Sequence, residues 1–451
     1  MNIRKIKRGY NLPLSGAPDR NLDKAPSPKS FGLHPTEFPD IKPKLSIQLN
    51  DSVKIGSPVF FDKKRPDILF CSPASGKVSE IVYGPRRVIE TVRITPSGED
   101  YETHRGYRPD EIKGIQRDEL IQSLLKGGVW PLIRRRPFDT IANPDETPSS
   151  IFVNCMDTAP LANDPEFSLK DKHAEFKAGL DALKILSGGA VHVVVSAERK
   201  GSIFTGHEGV SYHGFSGPHP AGLPSTHISL IDPVLKHGKI VWRLNARDAV
   251  RIGGFLLVGQ LPADTVVALS GPGVQSPRYL SARAGARLGD LVGSDLAPGE
   301  QRIISGNILS GRKADPDSYL GFYDDLVSVL PEDREERFFG WTAPGLKRHS
   351  FTRTFLSSYI PGVRHVFNTN QNGEPRPLVK TGDYEKVVAL DVLPEFLVKA
   401  ILVEDIDLME ELGILECSPE DFALCSYVCP SKTEFTEIIQ RGLDMIAREM
   451  N

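Results

Sequence analysis

The rhythm of hydrophobic and polar positions changes repeatedly along this chain, and each change predicts a different kind of element. Residues 1–40 ("LPLSGAPDR", "APSPKSFGLHPTEFPD") show little periodicity and many Pro, Gly and Ser residues, which predicts an extended, turn-laden arm. From residue 41 to 105 short alternating segments follow one another ("LSIQLN", "DSVKIGSPVFF", "ILFCSPASGKVSEIVYG", "RRVIETVRI"), the pattern of a small all-β domain. Over 106–262 the period switches between helix and strand. "RDELIQSLLKGGVW" is an amphipathic helix ending at Gly127, "SIFVNCMD" a buried strand, "EFKAGLDALKILSGG" a helix stopped by Gly188, and "AVHVVVSA" another strand. That order is α/β and Rossmann-like. Residues 263–335 return to short strands with turns at "SGPGV", "APGE" and "SGNILSG" and one helix, "RLGDLVG". A polar connecting segment, 336–379, leads to a helical domain at 380–451, whose Phe435, Ile438, Ile439, Leu443 and Ile446 form an apolar stripe behind a cap at "SKTE".

Within the first β domain the order Val-x-x-Gly, a β run, a charged tip, then Ser72-Pro73-x-x-Gly76-x-Val78 resembles the barrel-sandwich fold of biotinyl and lipoyl carriers. A carrier needs a modifiable lysine at the hairpin tip, and Lys63 or Lys64 lies there. Without the flanking motif of either carrier class, a solvated hairpin charge is the stronger reading.

Composition narrows the function classes. With 451 residues, 39% hydrophobic and 25% charged, the chain is an ordinary multi-domain globular protein. A net charge of −3 with no long run of one sign gives no footprint for nucleic acid or an anionic membrane. Cysteines at 71, 155, 417, 425 and 429 make no disulfide framework and point to a reducing, cytosolic setting. The basic N-terminus is followed by no signal-peptide core. The longest apolar runs, from Val191 and Phe255, fall far short of the ~20 residues that span a bilayer, so any membrane contact is peripheral.

Three constellations could carry chemistry. "LCSYVCP" looks like the end of a ferredoxin ligand run, C-x2-C-x2-C-x3-C-P, but the first two ligand positions are then Pro419 and Phe422, which cannot bind iron. Ser418, Pro419 and Asp421 form a helix start that sets Cys425 and Cys429 one turn apart. Cys417 offers a third thiolate for zinc, yet no histidine is close in sequence, and structural thiols are the plainer reading. His207, His213, His219 and His227 gather in a Gly/Pro-rich stretch at spacings that match no metal motif. "GVWPLIRRRPFDT" could grip a quinone head or an anion-bearing ligand through its arginines, with Trp130 and Phe138 covering the rings, or could dock another protein of a complex. No G-x-G-x-x-G follows any strand, and no P-loop, Ser/His/Asp order or paired carboxylates stand out.

Several longer stretches are more specific: "IKRGYNLPLSGAP", "VFFDKKRPDILFCSPASGKVSEI", "RRRPF", "MDTAPLANDP", "SGPHPAGLPSTH", "RIISGNILSG", "FGWTAPG" and "LECSPEDFALCSYVCPSK". Together, over almost the whole chain, they resemble the NqrA family, the A component of the sodium-translocating NADH:quinone reductases (Na+-NQR). That family is similar in turn to the C component of Rnf complexes and to the FMN-carrying component of complex I. The resemblance implies a barrel-sandwich domain, a Rossmann-like domain, a β-grasp domain of the soluble-ligand-binding (SLBB) type and a C-terminal helical domain. Those FMN-carrying relatives have a flavin loop, G-x-G-G-A-x-F-P-T, where this chain has bulky Trp130 and Arg134 to Arg136. Their N-A-x-E-x-E-P aligns with Asn154 to Pro160, with Asp157 at the first acid and Ala159 at the second. Cys425 and Cys429 are then vestiges of a cluster motif.

The resemblance further implies a peripheral protein on the cytoplasmic face of the bacterial inner membrane, in a respiratory translocase that passes electrons from NADH to ubiquinone and pumps sodium. Flavins, iron–sulfur centre and the NADH site belong to the partner subunits, B to F; this chain holds no tight cofactor and no metal. It is not catalytic alone. Its implied quinone contacts are Phe31, His34 and Pro35 in "SFGLHPTEF", and Trp130, Arg134, Arg136, Pro137 and Phe138 around "IRRRPFD". The alternatives are an electron-transfer protein bearing FMN or an Fe–S cluster, and a lipoyl- or biotin-type carrier.

Overall fold

The run "SIFVN" packs a different core with each of its faces, and that double burial sets the architecture. Ile151 and Val153 join one hydrophobic cluster while Phe152 joins another, as expected of a central parallel strand covered by helices on both sides. The computed structural model describes all residues except 200, 236–237, 336–341, 343 and 450–451. The "FGWTAPG" stretch and the head of the 336–379 segment therefore lie largely outside the described residues.

Strand Ser150–Asn154 sits mid-way in a seven-stranded sheet ordered Asn2–Lys5, Ser211–Ser216, Ala190–Ser196, Ser150–Asn154, Val241–Asn245, Arg134–Arg136, Thr140–Ile141. The first five strands are parallel, and the last two form an antiparallel hairpin closing one edge. Strands 190–196 and 211–216 build outward on one side of 150–154, and the chain then returns to place 241–245 on the other. The strand order thus reverses between Asn154 and Asn245, whose carboxyl ends open a crevice where α/β sheets bind ligands.

Helices His173–Leu186 and Ala246–Val258 cover one face of this sheet. They cross with their backbones in contact. A Cβ on Gly253 would stand 1.8 Å from the Glu175 carbonyl oxygen and 2.5 Å from the Gly179 nitrogen, and one on Gly179 would stand 2.1 Å from the Ala249 oxygen.

The barrel-sandwich domain pairs a four-stranded sheet (Phe31–Leu33, Ile89–Pro96, Gly76–Tyr83, Ser52–Val53) with a three-stranded one (Pro43–Leu45, Pro58–Asp62, Arg65–Cys71). Phe60 and Phe70 stack in its core at 4.5 Å. Lys63 and Lys64 do form a hairpin tip, where the Lys64 ammonium is tied to the Asp40 carboxylate. A six-stranded sheet carries the β-grasp domain, in the order Arg312–Ala314, Gln301–Ser305, Leu326–Pro331, Asp264–Ser270, Arg278–Arg283, Asp19–Lys24, with helix Leu288–Val292 as the sequence leads one to expect.

Residues 1–40 are extended, but they are more than an arm. They give one strand to each of three sheets: Asn2–Lys5 beside 211–216, Asp19–Lys24 beside 278–283, and Phe31–Leu33 beside 89–96. An outer strand held by main-chain pairing needs no alternating apolar code, and 2–5 and 19–24 are edge strands of that kind. Lacking the code, the segment reads as irregular in sequence.

The C-terminal helices surround their own core, in which Cys417, Cys425 and Cys429 are all buried. Helix Ala423–Val428 follows a turn capped reciprocally by Ser418 and Asp421, as the sequence predicts. The cap at "SKTE" is corrected. Ser431 Oγ donates to the Pro377 carbonyl at 2.9 Å, and the Phe435 amide that opens helix Phe435–Glu449 donates to Ser426 Oγ at 2.9 Å. The cap comes from the preceding helix, because burying Phe435 brings the two helices together end to end.

Gly253→Ala should lower the thermal midpoint of the chain. Forcing a methyl into backbone costs about 3 kcal/mol, the upper end for overpacking, against a gain of ~1 kcal/mol in helix propensity. Scanning fluorimetry on the variant reads the net change; an unmoved midpoint would show that the helices can part freely.

Candidate functional site

The arginine run is a strand, and its turn brings a single buried carboxylate to three guanidinium groups. Arg134–Arg136 pairs antiparallel with Val241–Asn245, setting Arg134 opposite Arg243. The corner that follows contains Phe138 at φ 75° and Asp139 at φ 51°. Consecutive positive φ angles suit a tight hairpin turn that usually takes Asn or Gly, so Phe138 is held in a backbone conformation costing about 1–3 kcal/mol.

The turn delivers the Asp139 carboxylate to Arg243, whose Nε and Nη2 donate to Oδ1 at 2.8 Å and Oδ2 at 2.5 Å. Arg134 Nη2 lies 2.8 Å from Oδ2 and Arg136 Nε 3.7 Å from Oδ1. Burial alone would push this carboxyl up, but Arg134, Arg243 and Arg136 outweigh it and hold it well below the usual carboxylate range. Arg136 is itself buried and spends its other donors on the Cys417 carbonyl of the helical domain at 2.8 Å and on Ser225 Oγ of its own α/β domain at 2.5 Å.

Above this cluster lies a cavity of about 1040 Å³. It opens at the carboxyl ends of strands 150–154 and 241–245 and is closed by the β-grasp domain and by the Ser418–Glu420 turn of the helical domain. Arg134, Phe138, Arg243, Tyr323 and Asp157 line it, with Met156, Leu169, Val250 and Leu261 as apolar wall. The Arg134 guanidinium sits 4.9 Å over the Tyr323 ring, whose hydroxyl donates to the Pro131 carbonyl at 2.8 Å. Arg247, also on the wall, donates to the carbonyls of Tyr323 and Asp324, both at 2.8 Å.

Asp157 is reachable by solvent inside the cavity but walled by protein. Although the side chain is exposed to solvent within the cavity, desolvation by the protein crowded around it pushes its carboxyl up to about 7; the Ala159 amide, donating at 2.7 Å, opposes the shift, and Asp325 and Glu420 add to it. No ion pair neutralises it among the described residues.

Of the quinone contacts expected from sequence, Arg134 and Phe138 are on the cavity wall. Trp130 is not. It is fully buried, donates from Nε1 to the Ala142 carbonyl at 2.8 Å and packs edge-on against Trp242. Arg136 and Pro137 are buried beneath the turn. Phe31 and Pro35 are buried around strand 31–33, and His34 is engaged with the Glu90 carbonyl and Thr91 Oγ1 at 3.2 and 3.0 Å, its imidazole held down to about 4 by burial and by Arg312. None of these three reaches the cavity, although Pro39, a little further along, does.

The two glycines before Trp130 are also committed. A Cβ on Gly127 would strike the Phe255 ring at 2.1 Å and one on Gly128 would strike Cys71 Sγ at 2.3 Å. These residues serve packing and do not fit a flavin phosphate, which needs open backbone amides.

The histidines separate. His207 meets Asp181 at 3.1 Å, His213 meets His192 at 3.0 Å, His219 meets Thr158 Oγ1 at 3.1 Å, and His227 meets the Ala221 carbonyl at 2.8 Å. Cys429 Sγ is 3.2 Å from the Tyr384 hydroxyl. Burial pushes the Cys417 and Cys425 thiols well up. Among the described residues no group of three or more His, Cys, Asp or Glu is placed to hold a metal.

Sequence reasoning missed Asp139, Arg243, Arg247 and Tyr323. One signal was available: Arg243 is a charge inside the apolar run "IVWRLN", just ahead of the helix cap at Asn245, and a strand that buries a charge must supply its partner.

Two outcomes follow from this electrostatics. Asp139→Asn keeps a residue that tolerates positive φ yet strips the counter-charge, and should cost about 3–5 kcal/mol, read as a lower denaturant midpoint. For Asp157 the folded carboxyl titrates near 7 against 3.8 for its ordinary value. Its stabilising contribution is present below about pH 4 and is lost as pH rises through about 7. Asp157→Asn should therefore raise the thermal midpoint at pH 8 and leave it unchanged at pH 4; equal shifts at both would refute the assignment.

Comparison with known proteins places this geometry. Three family models match successive parts of the chain: the NqrA N-terminal barrel-sandwich hybrid domain over residues 4–97, the NqrA second alpha/beta domain over 115–261 and the NQRA C-terminal domain over 266–315. The chain is 41% identical over 448 residues to the NqrA protein of the Na(+)-translocating NADH-quinone reductase from Klebsiella pneumoniae (strain 342), with 99% of each chain aligned. It is 39% identical over 448 residues to its counterpart from Pseudomonas aeruginosa (strain UCBPP-PA14), again with 99% of each aligned. The one from Vibrio campbellii is 38% identical over 445 residues, covering 98% of this chain and 99% of the relative. A crystal structure of an NAD+-reducing [NiFe]-hydrogenase overlaps 76% of this chain and 63% of its own at 11% identity, with a TM-score of 0.40, too loosely to bear on function.

Proposed function

The chain belongs to the NqrA family of the Na(+)-translocating NADH-quinone reductases, and from that premise we propose that it is the peripheral, cytoplasmic component that helps to bind ubiquinone and to assemble the complex. NqrA is one part of a translocase and is not catalytic alone. No helix among the described residues is long and apolar enough to cross a membrane, so in this reading the chain is held at the membrane by its partners, subunits B to F.

The observation that carries the quinone part is the cavity where the strand order reverses. A ubiquinone head has two carbonyl oxygens that need donors and a flat ring that needs apolar or aromatic cover. Arg134 and Arg243 present guanidinium groups, and Phe138, Tyr323 and Met156 offer cover. Reduction of a quinone to a quinol also consumes two protons. Asp157, titrating near neutrality on the same wall, is the group suited to supply one. NADH, flavins and the iron–sulfur centre are assigned to the partner subunits. The packing of Gly127 and Gly128 and the missing ligand positions at Pro419 and Phe422 support that division.

The flavin- or cluster-bearing alternative requires colour. The purified chain should show a flat visible spectrum, and the carrier alternative is tested by an intact mass free of any adduct on Lys63 or Lys64. The quinone assignment itself is tested by photo-crosslinking a ubiquinone analogue in the assembled complex. Labelled peptides should include Phe138 or Met156–Asp157; label confined to the membrane subunits would reduce this chain to a scaffold.

A further inference from the structure

The charge of this chain is unevenly spread. Residues 344–380 hold six Lys or Arg against one Glu, a net +5 in a chain of −3, which leaves the remainder at −8. The segment has little regular structure, and its inner side is tied down. The His365 amide donates to the Pro13 carbonyl at 2.7 Å, His349 Nε2 meets the Tyr10 hydroxyl at 2.9 Å, and Asn368 Nδ2 donates to Asp333 at 2.6 Å.

Beside exposed polar residues such as Thr352 and Thr354, the outward side carries two kinds of side chain that stand out. Leu356, Tyr359, Ile360 and Val366 are between 49% and 70% exposed, far more than large apolar side chains need be in a segment this firmly anchored. Lys347, Arg353, Arg364, Arg376 and Lys380 are exposed as well, and none of them makes an ion pair among the described residues. Some exposed arginines elsewhere are paired, as Arg20 and Arg199 are with Asp164, while others, such as Arg86 and Arg87, make no ion pair among the described residues; in 344–380 unpaired basic residues gather beside exposed apolar ones. Among the described residues, the carboxylates of Glu332 and Asp333 accept hydrogen bonds from Asn368, Thr369 and Asn370, beyond residue 366.

We propose that the outward side of residues 346–366 rests directly on an anionic lipid surface, with Leu356, Tyr359 and Ile360 entering the headgroup region and Arg353 and Arg364 flanking them against the lipid phosphates. Unpaired basic residues beside aromatic and aliphatic ones are the composition of an interfacial contact. A protein partner deep in an assembly would more often supply carboxylates to a matched set of ion pairs. The inference deepens the peripheral placement proposed above by giving this chain a lipid contact of its own, beyond attachment through partner subunits.

The test is co-sedimentation of the purified full-length chain with vesicles of 30% phosphatidylglycerol in phosphatidylcholine, against phosphatidylcholine alone. Binding is expected to the anionic vesicles at 50 mM salt and to be lost at 500 mM salt and on neutral vesicles. Each basic residue near such a surface contributes about fivefold in partitioning, so Arg353→Gln with Arg364→Gln should weaken binding about 25-fold. Tyr359→Ser with Ile360→Ser should weaken it also, and an unchanged thermal midpoint shows that these surface variants fold. Absence of binding to anionic vesicles, or equal binding by the variants, overturns the proposal. Variants that lose the membrane subunits on co-purification, when the parent chain ignores vesicles, would instead assign the surface to a protein. A negative vesicle result leaves the quinone reading untouched, because that reading is decided by crosslinking inside the complex.

Discussion

One buried carboxylate organises the junction on which the rest of the molecule depends. Asp139 balances Arg134, Arg136 and Arg243, and each of those arginines belongs to a different structural task. Arg243 is part of the central sheet, Arg134 projects to the cavity, and Arg136 reaches the helical domain through the Cys417 carbonyl and the α/β domain's Ser225. Guanidinium groups cannot be neutralised by losing a proton, so burying three of them without a counter-charge would be prohibitive. The turn that delivers Asp139 is held with Phe138 at positive φ, a conformation that Phe adopts only when its surroundings enforce it. Sheet edge, domain contact and cavity wall are therefore one interaction seen from three sides.

Much of the architecture is legible in the chain because buried two-faced strands and amphipathic helices announce themselves by period. "SIFVN" and "AVHVVVS" are the core strands they look like, and of the stripe from Phe435 to Ile446 all but the half-buried Ile438 are buried. What is lost is whatever main-chain pairing or long-range charge decides. Residues 2–5 and 19–24 are edge strands without an apolar code. "RRR" reads as a basic loop, yet becomes a strand because its partner lies more than a hundred residues away at Arg243. Trp130 reads as a ligand cover because an aromatic beside arginines suggests recognition, whereas the space it fills is the contact with Trp242. Net charge hides the basic surface at 344–380 for the same reason: an average over the whole chain cancels what is local.

The position of the cavity owes more to topology than to any motif. A parallel sheet whose order reverses leaves a crevice at its carboxyl edge whether or not a glycine loop is present. Here the sequence that would line that crevice with open amides has been replaced by bulk: Gly127 and Gly128 are pressed against Phe255 and Cys71, and the hairpin from Arg134 to Ile141 occupies the edge. The fold keeps the pocket and changes what it can hold.

The charges on its walls decide between ligand classes. The cavity contains several arginines, which at first suggests phosphate or another anion. Yet Arg134 and Arg243 already share Asp139, and Arg247 lies 3.6 Å from Asp325 and 3.7 Å from Asp248. Glu420 stands 4.0 Å from Arg243, and Asp157 and Asp324 add further carboxylates with raised proton affinity. Arg251, which donates to the Pro262 carbonyl at 3.2 Å, is the lining arginine without an ion pair among the described residues, so an incoming polyanion would meet mostly guanidinium groups already paired, at a cost in its own hydration. A neutral molecule with two hydrogen-bond acceptors and a flat apolar body incurs no such loss. It can accept from the outer N–H groups of paired arginines without displacing their carboxylates, and its reduction can draw a proton from an acid that holds one near neutral pH. In the reading proposed above, the pairing around Asp139 favours a quinone for the same reason that it disfavours a nucleotide phosphate.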